Sequence, residues 1–289
     1  MAAAHAVASR APEPVLSDPF AEVIVRGIGH ELFTRIVDGT TDFDEIGYGW
    51  CPPLFAIRAR TFDDFGLAAC RAGIRQAVTL GSGLDCRAYR LNWPSSMSLY
   101  EVDRLAVMDW KQTFLQNCGV RSTARHRCIG VDPNADWRSV LIKAGFDETQ
   151  PTVWIAEGVL AAPDNEICDS ISALSSPGSW LAADYFDSPG FDDLAESLNG
   201  LVDQLRRYDS RLQLQPFGPS RPADDPAPYL AEHGWTAGST DLVSLFGAIG
   251  RPVPTALDLP HKGALLRIHQ ATRPDGGGRR GMVTADRDM

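Results

Sequence analysis

The stretch Ile74-Arg75-Gln76-Ala77-Val78-Thr79-Leu80-Gly81-Ser82-Gly83-Leu84-Asp85 sets the reading of the whole chain. A short apolar, β-branched run closed by Gly-Ser-Gly predicts a strand that ends in a tight turn. Gly81 and Gly83 allow a sharp bend and a close approach of backbone to a ligand, because neither carries a Cβ. A second strand-like run, 98–103, ends in Asp103, twenty residues beyond Gly83. A third, 126–131, is followed by Asp132; a fourth, 152–156, by Glu157; a fifth covers 178–186. Helical patterns over 105–117, about 136–145 and 165–174 separate them. Strands alternating with helices predict a mostly parallel sheet with helices on both faces, an α/β fold. Ligands of such sheets bind beyond the carboxyl ends of the strands. Four loops aimed at that edge, three of them acidic, point to one bound molecule.

Outward from this centre, residues 18–72 read as helices. Asp18-Pro19 makes a cap with Pro at the first helical position, followed by Phe20, Val23, Ile24, Ile28, Leu32 and Ile36 at helical spacing. Pro52-Pro53 opens another helix, with Leu54, Ile57, Arg58, Thr61, Phe62 and Phe65 at helical spacing. After the fifth strand come a helix over 192–211, a proline-rich loop over 216–228, a short helix over 229–234 and a last strand over 263–269. The expected organisation is a flexible start (1–17), one domain (18–271) and a disordered tail (272–289). Within the domain, 18–72 forms a helical lid and 187–228 a lid insert after strand five. Phe20, Phe55, Phe62, Phe186, Phe191 and Phe217 in these lids point to a small, partly hydrophobic acceptor.

Composition narrows the classes. Of 289 residues, 44% are hydrophobic and 22% charged, enough for a sizeable core and incompatible with disorder throughout. Lys and Arg total 27 against 37 Asp and Glu, a formal net charge of −10, so a general nucleic-acid partner is not expected. No apolar run reaches the roughly 18 residues a spanning helix needs, so no membrane partner is expected either. Residues 1–10 lack a cationic start followed by an apolar block, and a cytoplasmic location is expected. The cysteines at 51, 70, 86, 118, 128 and 168 show neither C-x-x-C nor finger spacing and are read as reduced thiols. His126, His233, His261 and His269 are scattered, so no metal is assigned. The tryptophans at 93, 110, 137, 154, 180 and 235 read as packing.

The strand-end residues carry the chemistry. Asp103 is placed to accept hydrogen bonds from a ribose diol, and Asp132 to face an adenine amine. A dinucleotide site has a third small residue and a pyrophosphate at the helix start. Here that position is Cys86, and Asp85 beside it would repel an anion. A phosphate-free adenosyl cofactor suits the loop better, and S-adenosyl-L-methionine (SAM) also brings a sulfonium and an ammonium to an acidic rim. Two alternatives stay open: an NAD(P)-dependent oxidoreductase on a similar sheet, and a SAM-binding protein without turnover. Arg60 can equally hold a surface carboxylate, and Glu157 can cap the following helix. Arg87 and Arg90, beside Asp85 in the chain, read as structural ion pairs and not as substrate contacts.

Ala77-Val78-Thr79-Leu80-Gly81-Ser82-Gly83-Leu84-Asp85-Cys86-Arg87-Ala88-Tyr89-Arg90-Leu91, with Tyr100-Glu101-Val102-Asp103 and Trp154-Ile155-Ala156-Glu157-Gly158-Val159-Leu160, resembles the leucine carboxyl methyltransferase family. The likeness is greater to its actinobacterial branch of SAM-dependent methyltransferases. Ser17-Asp18-Pro19-Phe20-Ala21, Arg60-Thr61 and Gly145-Phe146-Asp147 fit as well, and the likeness spans about residues 10–270. It implies a Rossmann-like class I methyltransferase fold with SAM as cofactor. It implies that Arg60 pairs with the SAM carboxylate and that Gly81, within the Gly81-Ser82-Gly83 turn, lines the methionine portion. Asp103 is then the ribose acid, Asp132 and Pro133 contact adenine, and Glu157 stands beside the SAM amino end. Tyr185, late in strand five, is a candidate substrate-lining residue. The chain departs from the family at Cys86, at Pro133 and at Ala161-Ala162-Pro163, the last altering the pocket wall. The expected activity is O-methylation of a carboxylate or hydroxyl on a small molecule or peptide. No catalytic base is named.

Overall fold

The five apolar runs become strands β1 (Gln76–Leu80), β2 (Ser98–Arg104), β3 (Arg125–Val131), β4 (Thr152–Ala156) and β5 (Trp180–Tyr185) in a computed structural model. It describes residues 1–132, 135–159, 165–185, 199–200, 202–207, 226–257 and 267–274. Two further strands, β6 (Thr236–Asp241) and β7 (Arg267–Thr272), complete a seven-stranded sheet in the order β3-β2-β1-β4-β5-β7-β6. The first five strands run parallel, and β7 inserts antiparallel between β5 and β6. Every residue of β1 and β4 is buried, as two covered faces require. This is the Rossmann-like, mostly parallel α/β sheet predicted.

The pleat sorts side chains between two layers. Ala77, Leu99, Val153, Ile155 and Ala182 pack with α1 (Ala2–Ala8), α2 (Ala21–Ile28), α3 (Glu31–Asp38), α4 (Cys51–Arg71) and α10 (Leu242–Ala248). Val78, Leu80, Tyr100, Trp154, Leu181 and Ala183 face α7 (Trp137–Lys143), α8 (Glu166–Ala173) and α9 (Pro226–Glu232). The short α5 (Arg87–Arg90) and α6 (Leu105–Asn117) connect β1 to β2 and β2 to β3. Trp154 is fully buried between Phe146 and Trp137, where truncation to Ala costs about 3–5 kcal/mol. No helix among the described residues is long and apolar enough to cross a membrane.

The structure corrects several expectations. The first residues are not a loose end: α1 buries Ala3, Ala4 and Ala6 against α2, α3 and α4. Small side chains lower the apparent apolar content of this stretch, yet they let helices approach closely, and Ala is the best helix former. Within 18–72, the expected lid, α4 packs on β4 and β5 as a covering helix, with Phe62, Phe65 and Ala69 buried. Asp18 does cap the entry to α2, accepting from Phe20 N–H at 3.2 Å and Ala21 N–H at 3.1 Å. Thr272 belongs to β7 rather than to a tail, and Arg273 N–H donates to Ser179 O at 2.8 Å. β6 was missed because Thr-Ala-Gly-Ser-Thr-Asp carries no apolar alternation; α10 was missed although Leu242, Leu245 and Phe246 recur at helical spacing. The helix expected over 192–211 lies mostly outside the described residues, although 199–200 and 202–207 are helical. The insert residues 187–198 and 208–225, the altered segment 161–163 and the tail from 275 also lie outside them.

Candidate functional site

Strand order reverses at β1: the chain moves outward through β2 and β3, then returns to place β4 on the other side. That switch opens a crevice at the carboxyl ends of β1 and β4. The register fills it. Leu80 pairs with Val102 and with Ala156, so Gly81 lies between Asp103 and Glu157. Ala156 pairs with Ala183, so Glu157 lies next to Asp184.

Gly81 and Gly83 both adopt left-handed backbone, with φ of 58° and 49°. A Cβ on Gly81 would stand 2.8 Å from Val159 Cγ2, so the β1 and β4 turns touch there. Ser82 N–H donates to Val102 O at 3.3 Å, and the Ser82 hydroxyl faces Met108 Sδ at 3.6 Å. Gly83 N–H donates to Asp103 Oδ2 at 2.6 Å, and Arg104 N–H donates to Oδ1 at 2.6 Å. Each carboxylate oxygen retains a second lone pair, which is what a vicinal diol requires. Asp132 is exposed just after β3, at the same rim; Pro133 lies outside the described residues. Tyr185 is the last residue of β5, and its side chain lies outside the description.

Beneath the rim is a buried ion network. The Arg58 guanidinium donates from Nε to Asp184 Oδ2 at 2.8 Å, has Nη2 2.6 Å from the same oxygen, and has Nη1 3.1 Å from Glu157 Oε1. Arg87 Nη2 donates to the other Glu157 oxygen at 2.8 Å, with Nη1 3.2 Å from Asp85 and Nε 3.3 Å from Asp63. Arg90 also binds Asp63 and approaches Asp18. Gly158 N–H donates to Asp184 Oδ1 at 2.6 Å. Burial alone would raise the Glu157 carboxyl, but the Arg58 and Arg87 guanidiniums outweigh it and hold the group at about 2. Asp184 shares only Arg58 and feels Glu157, so there burial prevails and its carboxyl is pushed up. Burial likewise raises Asp85.

Two site expectations are revised. Arg60 does not join this group: it is half-exposed, pairs with Asp64 at 2.7 Å and reaches Val15 O. Arg58, two residues earlier on α4, is the arginine that meets Glu157 and Asp184. The signal was present, since Arg58 falls in the inward row of α4 and Arg60 does not. Asp85 does not face a ligand at the rim; its carboxylate pairs with Arg87, so anion repulsion by Asp85 is not what shapes the site. Arg87 and Arg90 are structural ion pairs, as read.

Three guanidiniums here meet five carboxylates: Asp18, Asp63, Asp85, Glu157 and Asp184. An acid-rich, partly buried site of this kind favours a ligand carrying positive charge. Arg58 Nη1 spends a donor on the Met1 thioether at 3.1 Å, a weak acceptor that a carboxylate would outcompete. A diol-facing Asp, two glycines for close approach, and an acid and an arginine side by side fit the ribose and amino-acid ends of SAM.

Known proteins similar to this chain point to the same cofactor. A family model described as "Leucine carboxyl methyltransferase" matches residues 1–168. A Mycobacterium marinum protein named "Putative S-adenosyl-L-methionine-dependent methyltransferase" is 41% identical, with 89% of this chain and 87% of that protein covered. A Mycobacterium tuberculosis protein of the same name is 38% identical, with 94% and 92% covered.

Proposed function

The chain belongs to the leucine carboxyl methyltransferase family and is a SAM-dependent methyltransferase; from that premise we propose that it methylates an oxygen, on a carboxylate or hydroxyl of a small molecule or peptide. The observation that carries the placement is the single crevice in which Gly81 lies between Asp103 and the Glu157–Arg58 pair. Bound SAM supplies a methyl already activated by its sulfonium, so the protein's work is to position groups and exclude water.

The residues divide that work. Asp103 accepts the ribose hydroxyls, with Asp132 and Pro133 on the adenine side. Gly81, Ser82 and Gly83 let the backbone pass close to the methionine portion. Arg58, in the place first given to Arg60, takes the amino-acid carboxylate, and Glu157 faces the ammonium. Ionised at any pH above its value of about 2, Glu157 holds its charge under all working conditions. Tyr185, at the end of β5, stands on the acceptor side. A carboxylate acceptor is ionised near neutral pH and needs no base.

A screen with methyl-labelled SAM tests the oxygen assignment. Transfer to carboxylates gives products that release labelled methanol in mild alkali, whereas transfer to hydroxyls gives alkali-stable ethers; either supports the reading. Label found only on nitrogen or sulfur of the acceptors contradicts it.

A further inference from the structure

A second cluster lies away from the strand-end crevice, and nothing above uses it. Glu101 on β2 is in register with Cys128 on β3, and His126, two residues before Cys128, shares its face. Glu101 Oε2 stands 2.8 Å from His126 Nε2 and 3.8 Å from Cys128 Sγ, and Sγ is 3.8 Å from the same Nε2. A thiol–imidazole–carboxylate relay would use both ring nitrogens, one toward the thiol and one toward the acid. Here one nitrogen faces both. The three donor atoms surround a common point instead of forming a chain, which is the arrangement coordination requires.

We propose that Glu101, His126 and Cys128 form a binding site for a thiophilic divalent cation of the zinc class at the β2–β3 edge. The spacing of the donors accommodates an ion about 2.0–2.3 Å from each of N, O and S. A mixed sulfur, nitrogen and oxygen set favours zinc-like ions over magnesium or calcium. Two anionic ligands, carboxylate and thiolate, neutralise the ion's charge. The second oxygen of Glu101 is already oriented by Lys111 Nζ at 3.0 Å, which also donates to Asp85 O at 2.8 Å. The Tyr89 ring stands edge-on to His126 at 5.0 Å, and its hydroxyl is 3.9 Å from Cys128 Sγ, beside the open coordination position. All three ligands sit on paired strands, so the site is rigid, and a bound ion ties together two neighbouring strands of the sheet.

The ion competes with protons. Imidazole and thiolate bind a cation only in their deprotonated forms, so affinity falls as pH falls. Lys111 and Tyr89 also face the group; burial opposes the Lys111 charge, but Glu101 keeps its value raised, and burial raises Tyr89, so neither titrates there.

The test uses the full chain, stripped by chelator, with Cys118→Ser introduced because Cys118 is exposed and would capture such ions by itself. Cobalt and zinc are titrated with absorbance and melting readouts. The proposal predicts one ion per chain, a thiolate-to-cobalt charge-transfer band and a raised Tm. It predicts that Cys128→Ser abolishes the band and that His126→Gln weakens binding at least about tenfold. Retained binding of S-adenosylhomocysteine shows that each variant is folded. Absence of stoichiometric binding, or a cobalt band unchanged by Cys128→Ser in folded protein, overturns it.

Discussion

Arg58 and Arg60 are two residues apart on one helix, and they face different surroundings. Positions i and i+2 of a helix point to different faces. Arg58 goes inward to Glu157 and Asp184, and Arg60 outward to Asp64. Removing Arg58 strands buried Asp184 and leaves Glu157 to Arg87, so Arg58→Ala is expected to cost about 3–5 kcal/mol in urea unfolding and to abolish S-adenosylhomocysteine binding. Arg60→Ala removes an exposed i,i+4 pair, and a change within about 0.5 kcal/mol with unaltered ligand affinity is expected. Equal loss of affinity in the two variants would refute the assignment to Arg58. The residue type was legible in the sequence, but the motif Arg60-Thr61 drew attention to the wrong face. Asp103 and Glu157 were legible because strand ends have no such ambiguity: a residue that closes a parallel strand lies at the ligand edge whichever way its neighbours alternate.

The elements most readable in the sequence were those with two covered faces. β1 and β4 are mostly apolar and buried along their whole length, and Thr152–Ala156 was placed to the residue. Where burial is one-sided the signal faded: β6 is a Thr, Gly and Ser edge strand, and α1 is a run of alanines with no large apolar stripe. The Gly81-Ser82-Gly83 turn was read as a ligand loop; the structure adds that it abuts the turn after β4. Gly81→Ala meets a left-handed φ of 58° and a Val159 methyl at 2.8 Å. It is expected to weaken S-adenosylhomocysteine binding at least about tenfold, since the turn must shift by enough to displace its contacts. Gly119, with φ of 74° and nothing within 4 Å of where a Cβ would stand, is the control. Gly119→Ala incurs backbone strain of about 1–2 kcal/mol, and its ligand affinity should be unchanged. Calorimetric titration of both variants separates the close approach from strain alone.

At the scale of the molecule, charge buried in two places couples folding to pH from opposite directions. Glu101 is held at about 2 by Lys111 and His126 against the cost of burial, and Glu157 at about 2 by its arginines. Both values lie below the ordinary 4.5, so their stabilisation is complete above pH 4.5 and is lost as pH falls toward 2. His126 runs the other way: raised from 6.5 to about 9, it contributes fully below 6.5 and loses its contribution as pH rises through 9. In chelator, Tm is expected to fall between pH 6.5 and 9, and His126→Gln to flatten that limb. A wild-type Tm constant across that window would contradict the charged His126–Glu101 pair. This pairing was not legible beforehand, because Glu101 and His126 are distant in the chain and only the β2–β3 register brings them together.

The placement of an adenosyl ligand in the crevice between β1 and β4 is tested most directly by titrating S-adenosylhomocysteine into the wild type and into Asp103→Ala. One site per chain is expected, with affinity lost about 10- to 100-fold in the variant, the worth of charge-assisted hydrogen bonds to the ribose. Equal affinity of the two proteins would contradict it.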